Sequence, residues 1–271
     1  MTSRLLDLGV RAIKHRTKKL NSVPVWRLVT LALLVAGWMT ISAIIDSNLF
    51  PSPWATVLAA GKIFTDGSLF EAVGQSILVY LAGYLLAILI AVPFGLFMGA
   101  FRLFGETMEV YVNALTATPR VAFVPLIIVF LGLDFTAKMT IVFLGAVMPI
   151  LVNTYAGVRN ADRELVEMTR SCGATRPQIF VKVLLPGALP YIVAGMRLGA
   201  GIGLINTVVA ELYTALSGLG NLLALYGNTF QMDRYFVVVL TLAVIGVIMT
   251  QTLKFFEIRL ERWKGTGLEL A

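Results

Sequence analysis

The sequence predicts an all-α membrane protein, a polytopic bundle of six transmembrane helices, and three observations carry that prediction. The 271 residues are 58% hydrophobic and only 14% charged, with a mean hydropathy of +0.85, whereas a soluble domain carries roughly 25% charged residues. Four apolar runs, Leu28 to Ile45, Ile77 to Phe101, Met139 to Val158 and Tyr235 to Leu253, contain no charged residue, and each approaches the ~20 residues needed to cross hydrocarbon. None alternates apolar and polar with period two, as a barrel strand of about ten residues would. Two further apolar stretches complete the six: Tyr111 to Leu133, which holds Arg120, and Tyr191 to Phe230, which holds Arg197 and Glu211.

Charge sets the orientation. Cytoplasmic loops are enriched in Lys and Arg, and with both termini inside, six spans place eighteen of the 22 basic residues on the cytoplasmic side. Only Lys62, Lys138 and Arg234 fall outside, and Arg120 falls within the membrane. This asymmetry accounts for the net charge of +7 without invoking nucleic acid. The single cysteine, Cys172, excludes an internal disulfide.

Residues 1–27 form a basic cytoplasmic arm, residues 28–255 one membrane domain and residues 256–271 a cytoplasmic tail. The first apolar run follows Arg4, Arg11, Lys14, Arg16, Lys18 and Lys19, as in a signal peptide. It is longer than a usual h-region and leads into Ile44, Ile45 and Asp46 rather than a small-x-small cleavage site, so it reads as a retained span. Beyond it, Ser52 is an N-cap and Pro53 an N1 residue for a short extracytoplasmic helix from Trp54 to Phe64. Its Trp54, Val57, Leu58 and Phe64 lie either at the membrane interface or against the spans.

Span two carries Gly95-x-x-x-Gly99, a small-x-x-x-small pair that permits close helix approach. Ordinary packing is the expectation and a dimer seam the alternative. Span three contains Thr118-Pro119-Arg120-Val121-Ala122-Phe123-Val124-Pro125, and two prolines there predict a kink or break. Non-helical backbone at membrane depth is tolerated only against protein or a water-filled cavity, which predicts that span three faces the bundle interior.

The segment from Arg159 to Lys182 is the one long polar interruption. It reads as two short amphipathic helices. Asn160 or Asp162 caps the first, and Gly173 ends it in the left-handed conformation that glycine adopts cheaply. Thr175 and Gln178 have capping-box spacing for the second, with Pro177 in its first turn. The second helix buries Ile179, Phe180, Val183 and Leu184, and Pro186 and Pro190 stop it before span five. Such a pair either folds back on its own bundle or docks elsewhere.

Here the residues carry a resemblance. Glu167, Gly173, Val183, Leu185 and Pro186 have the spacing of the EAA motif, Glu-Ala-Ala, three residues, Gly, nine residues, Ile-x-Leu-Pro. The chain thus resembles permease subunits of binding-protein-dependent ABC importers. Met168-Thr169 replace the two alanines and Val183 the isoleucine. Within that family it is most similar to the nitrate, sulfonate, taurine and bicarbonate group, through FPSP (50–53), VAFVPLIIVFLGL (121–133), PILVNTYAGVR (149–159), LLPGALPYIVAGMRLG (184–199), VVAEL (208–212) and SGLGNLL (217–223). Thr118-Pro119-Arg120 departs from the Arg-Pro-x-Pro-Pro often found there.

The resemblance implies a type I ABC importer permease fold in the bacterial cytoplasmic (inner) membrane. It implies that 159–186 is a coupling loop docking on a separate ATPase subunit through Glu164, Glu167, Met168, Thr169, Gly173, Leu185 and Pro186. It further implies a second permease chain, identical or different, and an extracytoplasmic substrate-binding protein, with ATP and Mg held by the ATPase. The chain itself has no G-x-x-x-x-G-K-[ST] motif, and its one Gly-Lys pair, Gly61-Lys62, precedes Ile63. Catalytic and metal sites are not expected, because the only histidine is His15 and no carboxylate cluster has general acid/base or metal spacing.

Charges inside spans are costly, from about 2.5 kcal/mol upward, so Arg120 and Glu211 each need a partner or water. Arg120, with Pro119 beside it, is the candidate for a translocation path favouring a small anionic nutrient, and Glu211 for an outer gate before SGLG. The alternative is that the two neutralise each other structurally, or that each lies at an interface. Arg197 reads as snorkelling to the cytoplasmic surface. Rival functions are an importer permease for a neutral or heterocyclic nutrient and an ATP-independent secondary transporter or channel, which inverted repeats with paired broken helices would favour.

Overall fold

In the computed structural model of the chain, residues 25–45 and 49–261 are described. The basic arm, apart from its last residues, and the end of the C-terminal tail lie outside the described residues. Within them the chain is entirely helical. The helices are α1 (Val25–Ile44), α2 (Pro53–Thr65), α3 (Ser68–Ala100), α4 (Arg102–Ala117), α5 (Val124–Leu131), α6 (Phe135–Arg159), α7 (Arg163–Ser171), α8 (Arg176–Ile179), α9 (Leu185–Thr214), α10 (Leu219–Asn228) and α11 (Met232–Glu261). Five helices are long and apolar enough to cross a membrane. The bent pair Arg102–Ala117 and Arg120–Leu131, turned through 79°, makes a sixth.

The core is α6 packed between α3 and α9. α3 presents Gly83, Ala87, Ala91, Gly95 and Gly99 at four-residue spacing, the helical stripe of one face. A Cβ on Gly83 would lie 2.6 Å from the Met139 carbonyl, and one on Gly95 would lie 2.8 Å from Thr154 Cβ. The partner of Gly95-x-x-x-Gly99 is therefore α6 of the same chain, running parallel to α3. Where lipid is as apolar as leucine, such close contact is what holds helices together. α9 returns antiparallel, with Gly195 and Gly199 against Asn153 and Ile150.

The bend in span three falls where the prolines predict it: α4 ends at Ala117, and a 3-10 turn, Arg120–Phe123, precedes α5. Its predicted interior position is not observed within this chain. Val124 is the only buried residue of α5, whereas Leu126, Val129 and Phe130 are exposed. The bulky side chains of α5 offer no small-residue seam, so α3, α6 and α9 take the centre.

α2 starts as the sequence indicates, with Ser52 Oγ accepting from the Ala55 N–H at 3.2 Å and Pro53 in its first turn. Thr56, Ala59 and Ile63 are buried, while Trp54, Val57, Leu58 and Phe64 face outward, which favours the interfacial alternative. α1 is fastened by its C-terminal end. Trp38 Nε1 donates to the Pro51 carbonyl at 3.0 Å, Ser42 Oγ to the Phe50 carbonyl at 3.0 Å, and Trp38 stacks on Phe236 of α11.

One further expectation is corrected. Pro186 and Pro190 do not end the second loop helix. A π turn, Phe180–Leu184, carries it into α9, with Pro186 in the first turn and Pro190 inside, because a widened turn accommodates missing proline donors in a packed span. Arg197 pairs through its guanidinium with Glu257 of α11 at 2.5 Å. That contact lies beyond the boundary expected at residue 255, and α11 continues to Glu261.

Candidate functional site

The first candidate is the loop between α6 and α9. Asp162, not Asn160, caps α7, accepting from the Glu164 and Leu165 N–H groups at 2.9 and 3.4 Å. Gly173 takes φ +80°, turning the chain between α7 and α8, and the Thr175 N–H donates to Gln178 Oε1 at 2.8 Å. α8 is anchored through Ile179, which is buried. α7 buries nothing: Leu165 is 47% and Met168 59% exposed. The loop is thus rigidly capped, seated by one half and bare on the other.

Helical spacing divides the site residues of α7. Glu164, Leu165 and Met168 point away from the bundle. Glu167 turns toward a pocket of about 360 Å³ shared with Arg102, Arg159 and Arg163. Thr169 is half-buried, its hydroxyl donating to the Leu165 carbonyl at 2.7 Å. Leu185 and Pro186 are half-buried at the start of α9. Beside this loop Arg159 bonds Glu109 at 2.8 Å and Tyr155 at 3.0 Å, tying the end of α6 to the middle of α4.

At the opposite end, Glu211 is 1% exposed one turn before α9 ends. Its carboxylate accepts from Ser76 Oγ at 2.8 Å and from the Gly220 N–H at 2.8 Å. The Ser76 hydroxyl accepts from the Leu219 N–H at 2.8 Å, and Gln75 Oε1 from the Gly218 N–H at 3.0 Å. A buried charge is tolerable only when so partnered, and its partners here are the first N–H groups of α10, where helix polarity favours an anion. Gly218 (φ +90°) has no room for a side chain, because a Cβ would overlap the Glu211 carboxylate. Lys138, expected in an outer loop, is instead buried in α6 and donates to Ser217 Oγ at 2.7 Å.

Arg120 and Glu211 do not pair. Arg120 Nη1 donates to the Gly145 carbonyl of α6 at 2.9 Å. That carbonyl would normally accept from residue 149, but Pro149 has no N–H, so Arg120 replaces the missing donor. Asn206 of α9 lies against Gly145 from the other side. The guanidinium remains half-exposed, and Pro119, extended and exposed, opens the 3-10 turn that carries it. Gln75, Ser76, Lys138, Ser217 and Asn206 were not legible as site residues. Only Lys138 carried a signal, as a charge four residues after Asp134 at the edge of an apolar run.

Comparison with known proteins agrees with this architecture. A putative aliphatic sulfonates transport permease protein of Escherichia coli is 32% identical over 232 residues, covering 85% of this chain and 88% of the relative. A riboflavin transport system permease protein of Chloroflexus aurantiacus is 32% identical over 244 residues, covering 88% and 90%. Among solved structures, an inward-facing conformation of a methionine ABC transporter superposes with a TM-score of 0.61 at 20% identity, over 70% of this chain and 94% of that one. The fold is accordingly that of a type I ABC importer permease. The family model described as the binding-protein-dependent transport system inner membrane component matches residues 91–262, and the chain belongs to that family of inner-membrane permeases.

Proposed function

We propose that this permease admits a small anionic nutrient, of the nitrate, sulfonate, taurine or bicarbonate type, and is driven by a separate ATPase docked on the 159–186 loop. The observation that carries the coupling is the exposed apolar face of α7, Leu165 and Met168, on a segment otherwise fixed by Asp162 and Gly173. A capped helix with nothing to bury gains stability only from a partner. Glu164, Glu167, Met168, Thr169 and Gly173 form the docking segment, and Leu185 and Pro186 pass its movement into α9. ATP and Mg bind the ATPase, and the chain contributes no catalytic group.

Anion selection rests on Arg120. Its bond to Gly145 fixes the guanidinium at the break in span three while leaving other donors of its planar fork free. The exposed faces of α4 and α5 then meet a second permease chain, so that Pro119 and Arg120 border a path between copies. Glu211 holds the SGLG turn at the extracytoplasmic end, where the substrate-binding protein docks, and both chain termini lie in the cytoplasm. The similarity to a riboflavin permease favours a second reading, a larger heterocyclic nutrient.

The test is uptake into proteoliposomes by the complete importer with its binding protein, across a panel of sulfonates, nitrate, bicarbonate, amino acids and flavins. ATP-dependent uptake confined to anions supports the proposal. Uptake of flavin alone, or uptake by the purified chain without ATP, rejects it.

A further inference from the structure

Beside the coupling loop lies a second groove, of about 1000 Å³, between the last turns of α3 and the segment α7 to α9. Its floor is apolar, built from Leu96, Phe97, Phe180 and Leu184, and it starts at Pro93. Pro93 is seven residues before Ala100, the end of α3, so at 1.5 Å per residue the floor descends about 10 Å along the helix. Its rim carries three guanidinium groups, Arg102, Arg170 and Arg176.

The lining contains no carboxylate, unlike the neighbouring pocket, where Glu106 and Glu167 offset the arginines. Arg102 spends one N–H on Glu106, at 2.9 Å. Among the described residues the guanidinium groups of Arg170 and Arg176 have no hydrogen-bond or ion-pair partner.

A soluble anion would satisfy the rim but not the floor, and an acyl chain alone would leave the arginines unanswered. The two chemistries meet in one molecule. We propose that this groove binds an anionic phospholipid, its phosphate against Arg102, Arg170 and Arg176 and its acyl chains along Leu96, Phe97 and Phe180. Basic residues at a membrane surface attract anionic lipid, and arginine matches a phosphate with paired donors. The lipid would bridge the end of α3 to α7, which buries no residue of its own, and so hold the coupling loop against the bundle. This inference needs only that the chain spans a membrane and is independent of the nutrient carried.

The test uses the complete importer complex, delipidated and placed in nanodiscs of phosphatidylcholine with spin-labelled phosphatidylglycerol or spin-labelled phosphatidylcholine as probe. The wild type is expected to retain phosphatidylglycerol about tenfold over phosphatidylcholine. The double variant Arg170→Gln/Arg176→Gln should lose most of that preference, and Arg170→Lys/Arg176→Lys should keep most of it. Millimolar glycerol phosphate should not displace the lipid. Equal retention of the two lipids overturns the proposal, as does an unchanged preference in the double Gln variant. Displacement by glycerol phosphate would identify a soluble-anion site instead. Retention by the permease but not by the complex would mean that the ATPase covers the groove. If the double variant does not assemble, Arg176→Gln alone is measured, with an intermediate preference expected and an unchanged one contradicting the site.

Discussion

Arg120 donates a hydrogen bond from the break in the third span to the carbonyl of Gly145, at 2.9 Å, and so replaces the N–H that Pro149 cannot supply. One charged residue thus closes a gap in a neighbouring helix and stays accessible from outside the chain. The structural role of Arg120 and the transport role proposed for it are separable by substitution. Arg120→Leu orphans the carbonyl and should destabilise the permease by about 1–3 kcal/mol. Arg120→Gln keeps a donor, should unfold at nearly the wild-type temperature, and should lose most anion uptake. Thermal unfolding and uptake on the same preparations separate the two effects, and normal anion uptake by Arg120→Gln would remove Arg120 from the path.

Glu211 and Ser76 form the second relationship with a measurable consequence. Removing Ser76 leaves a buried carboxylate short of a donor, so Ser76→Ala should cost about 1–3 kcal/mol. The cost should largely vanish in a Glu211→Gln background, and a double-mutant cycle on thermal stability reads that coupling. Additive effects would show that the carboxylate is held by α10 alone.

Gly218→Ala is expected to be worse than either, because the new Cβ overlaps the Glu211 carboxylate and the backbone sits at φ +90°. The expected result is loss of the folded permease from the membrane fraction, read by fluorescence-detected chromatography.

The α3 seam predicts a contrast between glycines. Gly95→Leu drives a side chain into Leu151 and Thr154 of α6 and should cost about 1–3 kcal/mol or more. Gly61→Ala in α2 meets nothing within 4 Å and should be neutral or stabilising by up to about 1 kcal/mol. Unfolding temperatures of the two variants measured side by side check the assignment of α6 as the partner.

Much of this was legible because it is local. The apolar runs gave the spans, Ser52 and Pro53 the start of α2, Pro119 and Pro125 the break, and Gly173 the turn between α7 and α8. What escaped depends on contacts distant in sequence. Ser76 meets Glu211 across 135 residues, and no periodicity announces such a pair. Lys138 looked like a loop charge because a run of hydrophobicity ends near it, yet α6 begins at Phe135 and buries it. Pro186 looked like a stop because proline removes a donor, and the π turn before it is a tertiary remedy. The interior position expected for span three followed from its prolines alone, and α5 instead buries only Val124 within this chain.

The docking proposed for the 159–186 loop is open to direct measurement through Cys172, the only cysteine in the sequence, which lies exposed at the end of α7 beside Gly173. The rate of maleimide labelling at Cys172 is compared for the permease alone and for the complex with its ATPase. A rate at least about tenfold slower in the complex, restored by Leu165→Asp/Met168→Asp, is the result the account predicts. An unchanged rate in a complex shown to be intact would contradict it.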